Sequence, residues 1–285
     1  MSFFFNLSNY FSGTGKMKTN FLLLVLAVSV IFPGCSIPHF YYSPNIQNVP
    51  LFKEKNEFSG LIAGSLGAVN TCLELQAGYS FPEHIALTAN YMTGGNDNST
   101  DYYKDFSKTS YFEGAMGYYK SFNDIGVFEI FGGYGQGSQH HTFTYSEYDG
   151  WFSWTRVPDG TADISFSKLF IQPDIGIKIN GLEGAFSFRI SNLNLSQVSI
   201  YNSVYHLQEL NDLKQNHTSW LFEPAFTFRG GLKSVKGQIQ LVFSRNITNP
   251  DLLFEICRIN VGLYFNLQKK QPIKLAPDVP PISQP

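Results

Sequence analysis

Six acids and five bases fall at positions that a two-residue period turns to the same side: Glu74, Glu113, Glu129, Asp174, Glu183 and Glu223 with Lys168, Lys178, Arg189, Arg229 and Arg258. Paired carboxylates in a cleft can do general acid/base work. Here the signs nearly balance, and opposite charges facing each other across a narrow space pair and fill it. A structural polar core is expected, with no catalytic residue. His140 and His141 are adjacent, so on a strand they point apart and make an awkward metal site with Glu147 and Asp149. Asp97, Ser99 and Asp101 alternate as calcium ligands do, but the glycine and distal glutamate of an EF-hand loop are missing. Neither metal nor cofactor is expected. Tyr145, Tyr148, Trp151, Phe152 and Trp154 crowd one stretch, and rigid rings amid small polar residues suit recognition of a sugar or a protein.

Something must hold these groups in place, and the composition narrows what that is. Charged residues are 15% of the 285, against roughly 25% in soluble domains, while aromatics reach 16%. Part of the outer surface is therefore expected to lie out of water. A net charge of -2 leaves no basic patch for nucleic acid. Mean hydropathy is only -0.10, and the longest apolar run, residues 21–32, falls short of the roughly 18 residues of a membrane helix. A transmembrane β-barrel satisfies all of these, because its strands alternate lipid-facing and lumen-facing residues.

From Phe58 onward the period of two dominates. Leu73, Leu75, Ala77 and Tyr79 oppose Glu74, Gln76 and Gly78; Ile239, Leu241 and Phe243 oppose Gln238 and Gln240. This reading gives an all-β, antiparallel up-and-down barrel of about ten strands, with eight as the alternative. The strands fall near 58–68, 71–81, 84–93, 109–120, 126–137, 164–179, 183–197, 219–230, 236–246 and 254–267. Connections alternate between short turns (Pro82-Glu83, Asn123-Asp124, Asn180-Gly181, Lys233-Ser234) and long polar loops at 94–108, 138–163 and 198–218. A soluble sandwich or lipocalin-like barrel would carry Lys, Glu and Thr outward where this chain carries Phe, Ile and Leu.

Met17-Lys18-Thr19, the apolar run 21–32 and Pro33-Gly34-Cys35-Ser36 form an export signal, so residues 1–34 are set aside as leader and signal peptide. Gly34-Cys35 resembles the processing site of bacterial lipoproteins, which implies a lipidated Cys35 as mature amino terminus; the alternative is an ordinary signal-peptidase cut after Ser36, with Gly34 as the small residue two before it. Residues 35–57 then read as a periplasmic linker, 58–267 as the barrel and 268–285 as a Pro-rich periplasmic tail, with both termini periplasmic. Cys72 and Cys257 are expected to stay unpaired, the first facing inward and the second outward.

Asn260, Gly262, Phe265 and Leu267 in the last strand resemble the closing signal read by the bacterial barrel-assembly machinery. Together with the leader, the chain resembles a small bacterial outer-membrane β-barrel protein of the lipoprotein kind. The resemblance implies an outer-membrane location, contact with outer-membrane lipids and lipopolysaccharide, and the assembly machinery as partner during biogenesis. It does not transfer an activity. The resulting expectation is a plugged lumen, no enzymatic activity, and a structural or surface-binding role through the aromatic loops toward a glycan or protein. Two rivals stay open: a rim-sited protease or lipid-A-modifying hydrolase using residues such as His140 and His217, and a narrow transporter.

Overall fold

The structure, a computed structural model, describes residues 41–67, 70–97, 106–148, 154–179, 181–201, 203, 206–252 and 254–268. Eleven strands follow one another: β1 Glu57–Leu66, β2 Thr71–Ser80, β3 Ile85–Asp97, β4 Phe106–Phe122, β5 Gly126–Tyr148, β6 Trp154–Ile179, β7 Leu182–Tyr201, β8 Thr218–Gly231, β9 Val235–Phe243, β10 Arg245–Asn246 and β11 Cys257–Gln268. One helix, α1 (Leu207–Gln215), stands between β7 and β8. Every pairing between strands is antiparallel, and β11 pairs with β1 from Phe58↔Leu267 to Leu66↔Ile259. The sheet is therefore closed, which removes both edges.

β9 and β10 are one crossing. Val242 faces Ala225 and Arg245 faces Phe222, so the register with β8 is unbroken across Ser244. The gap lies opposite Pro224, which has no N–H to give to the ladder. The same happens at Pro173, where pairing skips from Ile171↔Ile190 to Asp174↔Ser187. With β9 and β10 counted together, the eleven strands make ten crossings, as the period of two predicts.

Short turns gather at one end. Pro82–His84 forms a 3-10 turn, Asn123 and Asp124 both have positive φ (49° and 56°), and Gly181 sits at φ 86°. Asparagine, aspartate and glycine accept that backbone at low cost. The opposite end differs from the loops expected at 94–108, 138–163 and 198–218. β4 begins at Phe106, β5 runs on to Tyr148 and meets β6 from Trp154, and β7 runs to Tyr201. Polar outward residues such as Lys108, Ser138 and His140 break the apolar alternation there, yet the ladder needs only backbone groups and continues past the apolar belt. A bulge between Phe143 and Thr144 marks where β5 meets Pro158 of β6.

The outer wall is apolar: Ile62, Leu75, Met116, Leu169, Ile175 and Leu263 all stand exposed. The inner wall holds the core, in layers. Tyr111, Phe143, Ile164 and Phe166 pack near the long-connection end, buried charges fill the middle, and Phe131, Tyr119 and Ala86 lie near the short turns. Gly133, Gly135 and Gly137 of β5 make room for the rings of Phe170, Tyr111 and Phe166; a Cβ on Gly133 would come within 2.4 Å of the Phe170 ring. Cys72 is buried, Cys257 half-buried, and both are free thiols.

One expectation fails clearly. Residues 35–57 were to hang as a linker on the short-turn side, but all of 41–52 is buried inside the barrel. Tyr41 lies at the long-connection mouth, its hydroxyl 3.0 Å from Glu209 of α1, and Phe52 packs on Tyr119 by the short turns. The exposed residues Glu54 and Lys55 then lead into β1, and the other described end, Gln268, pairs with Glu57. The described ends thus sit at opposite mouths, while the two termini of the chain lie outside the described residues. The physical reason is that a lumen lined with this many polar groups needs an occupant with backbone donors and acceptors. Leader residues 1–34, Cys35 and the tail from 269 onward lie outside the described residues.

Candidate functional site: the threaded polar lumen

Alternation aims every second residue of each strand inward. This places Glu74 on β2, Glu113 on β4, Glu129 on β5, Lys168, Asp174 and Lys178 on β6, Glu183 and Arg189 on β7, Glu223 and Arg229 on β8 and Arg258 on β11 in the lumen. They divide into groups. At mid-height Arg189 binds Glu113 at 3.0 Å, and Lys168 lies 3.9 Å from Glu113 and 3.8 Å from Glu223. Toward the short turns Glu183 takes Arg229 at 3.2 Å, Lys236 at 3.2 Å and Lys178 at 3.8 Å. Arg258 binds Glu255 at 2.9 Å under the long-connection mouth. Aromatic faces cover the cations, with Arg229 3.7 Å above the Tyr264 ring and Arg189 4.2 Å from that of Phe170.

Through the middle of these groups runs the segment 41–52. It forms no ladder beyond a single bridge at Tyr42, so wall side chains satisfy its backbone. Glu74 accepts the Ile46 N–H at 2.9 Å, and Gln76 donates to the Ile46 carbonyl at 3.2 Å. Gln240 serves both groups of Gln47, at 2.8 and 3.0 Å. Gln172, Arg229 and Tyr264 donate to the carbonyls of Asn48, Val49 and Pro50 at 2.9, 2.6 and 2.7 Å. Glu129 takes the successive N–H groups of Leu51 and Phe52, at 2.9 and 2.8 Å. Leu51 has φ 55°, and such a kink turns neighbouring amides into an anion-holding concavity. Each bond to a charged group contributes about 1.5–3 kcal/mol, so the set is a strong clamp.

Two side chains of the segment tie the charge groups together. Asn45 donates to Glu113 at 2.9 Å while its carbonyl oxygen accepts from Lys168 at 2.8 Å and Arg189 at 3.1 Å. The Tyr42 hydroxyl donates to Glu223 at 2.8 Å and accepts from Lys168 at 3.0 Å. At the mouth, burial and then the charge of Glu209 hold the Tyr41 hydroxyl above its ordinary range, so it stays a donor.

The histidines separate as a strand requires. His140 faces outward, 2.6 Å from Asp163, whereas His141 is buried inward beside Tyr41 and Phe143. A different histidine makes the inner rim cluster: His206 Nδ1 and the Ser203 hydroxyl both lie 2.7 Å from the same Asp159 oxygen, and Phe143 stacks on His206 at 4.7 Å. The serine gives its hydrogen to the same carboxylate that the imidazole meets, which makes one compact trio. It fastens the β7–β8 connection to β6. His217 enters through its backbone, whose carbonyl accepts from Leu195 at 2.7 Å. Among the described residues no three His, Cys, Asp or Glu side chains gather as a metal site. Ser99 and Asp101 lie outside the described residues.

Tyr145, Tyr148 and Trp154 stand on the projecting β5–β6 hairpin, while Trp151 and Phe152 lie outside the described residues. In β11, Asn260 faces inward beside Gly262, which a Cβ would drive to 2.5 Å from the Ile62 carbonyl oxygen; Phe265 and Leu267 face outward.

The threaded segment was not read from the sequence. Its signal was indirect: inward Gln76, Gln172, Gln238 and Gln240 exceed what charge pairing needs, and glutamines serve backbone groups well.

No protein-family model matches the sequence, and no curated protein matches it. Three solved structures show what the chain is similar to. The translocator domain of autotransporter NalP from Neisseria meningitidis has 8% identity and a TM-score of 0.38, covering 74% of this chain and 87% of that one. The outer membrane protease OmpT from Escherichia coli has 10% identity and a TM-score of 0.39, covering 74% and 94%. LpxR from Salmonella typhimurium has 9% identity and a TM-score of 0.35, covering 73% and 99%. Scores this low say nothing of activity or substrate.

Proposed function

We propose that the chain is an outer-membrane barrel (lipo)protein sealed by its own segment 41–52, with a structural or surface-binding role through the projecting aromatic hairpin. The observation that carries this reading is the contrast between the two faces of one wall. Ile62, Leu169 and Ile175 stand exposed outward, while Glu129, Lys168 and Arg189 are buried inward. Apolar side chains around the whole outside of a closed barrel fit hydrocarbon, and buried charge with a threaded peptide fits a lumen that does not conduct. Outer-membrane lipids and lipopolysaccharide are then the outer contacts, and the alternation of Asn260, Gly262, Phe265 and Leu267 suits β11 to the assembly machinery. The purified protein should need detergent, migrate differently on gels before and after heating, and show no single-channel conductance in planar bilayers. Monodispersity in plain buffer, or an open conductance, would defeat the reading.

Cys35 is the proposed acylation site. Mass spectrometry should show a diacylglyceryl increment on Cys35; an unmodified start after it would refute acylation and leave the barrel standing.

For binding, the hairpin tip is the proposed contact surface for a glycan or protein. Phe143 is fully buried in the rim cluster, so a deletion reaching it would damage the lumen core. Removing 147–155 alone should leave heat modifiability unchanged and abolish capture on a glycan or protein array. If heat modifiability is lost with the tip, the rings belong to the fold.

A further inference from the structure

The segment 41–52 is held in an unusual way for part of a folded chain: its main chain is read by side chains, over seven consecutive residues from Ile46 to Phe52. Recognition of this kind depends on the direction and extension of a peptide more than on its side chains. We propose that the barrel lumen is a binding tunnel for extended polypeptide, oriented with the amino end toward the long-connection mouth and occupied at rest by the chain's own segment. The inference rests on the sealed lumen of the reading above and deepens it by naming the ligand class.

Three features support an exchangeable occupant. The segment joins the wall through the exposed stretch around Glu54 and Lys55, so cutting there severs the covalent link and leaves every lumen contact intact. The wall keeps its own charge pairs without the segment, since Glu113 holds Arg189 and Glu183 holds Arg229 directly. Gln240, by contrast, directs its oxygen at a peptide N–H group, which any extended chain except proline can offer, and Glu129 takes two successive N–H groups at the kink of Leu51.

The test begins with the folded full chain in detergent, nicked by trypsin at Lys53 and Lys55, washed in mild denaturant and offered fluorescent synthetic peptide YYSPNIQNVPLF. Uptake of one peptide per barrel is expected. A peptide carrying Val49→Ile should bind about as well, whereas N-methylation of the Leu51 or Phe52 amide, which removes one N–H from Glu129, should weaken binding about tenfold or more. Equal binding of the N-methylated peptides overturns the inference, and so does absence of uptake into washed barrels that stay heat-modifiable. If the native segment resists washing, the nicked Glu129→Ala chain is washed in parallel. Faster loss from that variant supports main-chain recognition, and equal retention overturns it. Conductance of the uncut protein stays a separate readout, so failure of the sealed barrel and failure of the tunnel are told apart.

Discussion

Replacing Arg189 with Met should lower the free energy of unfolding by about 3–5 kcal/mol, the cost of leaving one member of a buried ion pair alone. Arg189 has its guanidinium 3.0 Å from Glu113, donates to Gln172 at 2.7 Å and reaches the threaded Asn45 at 3.1 Å. Met fills much of the volume over the Phe170 ring, so the loss would report charge and hydrogen bonds more than packing. Denaturant titration followed by loss of heat modifiability gives the number. The double variant Arg189→Met with Glu113→Gln should recover a good part of it, because the stranded carboxylate is then gone. A loss under about 1 kcal/mol in the single variant would mean that water reaches Glu113 and that the lumen is not sealed.

Ile175→Arg should cost about 2–4 kcal/mol in a bilayer, where a charge near mid-depth of the lipid face is expensive. Ile175 is exposed on β6 and lies in register with Phe128 on one side and Phe186 on the other, midway along the apolar wall. Leu182→Arg, at the start of β7 beside the short turns, should cost only about 0–1 kcal/mol, since the side chain can snorkel to the interface. Unfolding equilibria in lipid vesicles measure both. In water neither exposed position would lose much, usually within about 0.5 kcal/mol. Similar small costs at the two sites would therefore contradict a lipid-facing wall.

How far the sequence carried these readings differs from element to element. Alternation in 72–81 and 164–179 placed strands and sides together, because a period of two assigns each residue to a face as soon as one face is apolar. The same logic placed Glu74, Lys168 and Arg258 inside. It failed beyond the apolar belt: at Ser138 to Tyr145 both faces carry polar residues, so no contrast marked the strands that continue there. It failed altogether for 41–52, which has two prolines, no periodicity and a mixture of Tyr, Asn, Gln and small apolar residues. A segment whose backbone is held by side chains from six different strands leaves no local signature, because its partners are far away in sequence. The rim cluster was half legible. Histidine and aspartate were expected at that end, but which histidine faces inward depends on the α1 connection, which brings His206 to Asp159.

On the proposed reading, the direction of the threaded segment would make the barrel a two-sided carrier. The chain passes Tyr41 at one mouth, descends to Phe52, turns, and then builds the wall around its own path, to reach Gln268 at the other mouth. A cargo fused ahead of Tyr41 would be presented beside the long connections, whereas a cargo fused after Gln268 would stay beside the short turns. In an outer membrane those are the outside of the cell and the periplasm. The same fold would thus display one passenger to the surroundings and keep another within the envelope, with the sealed lumen as the partition between them.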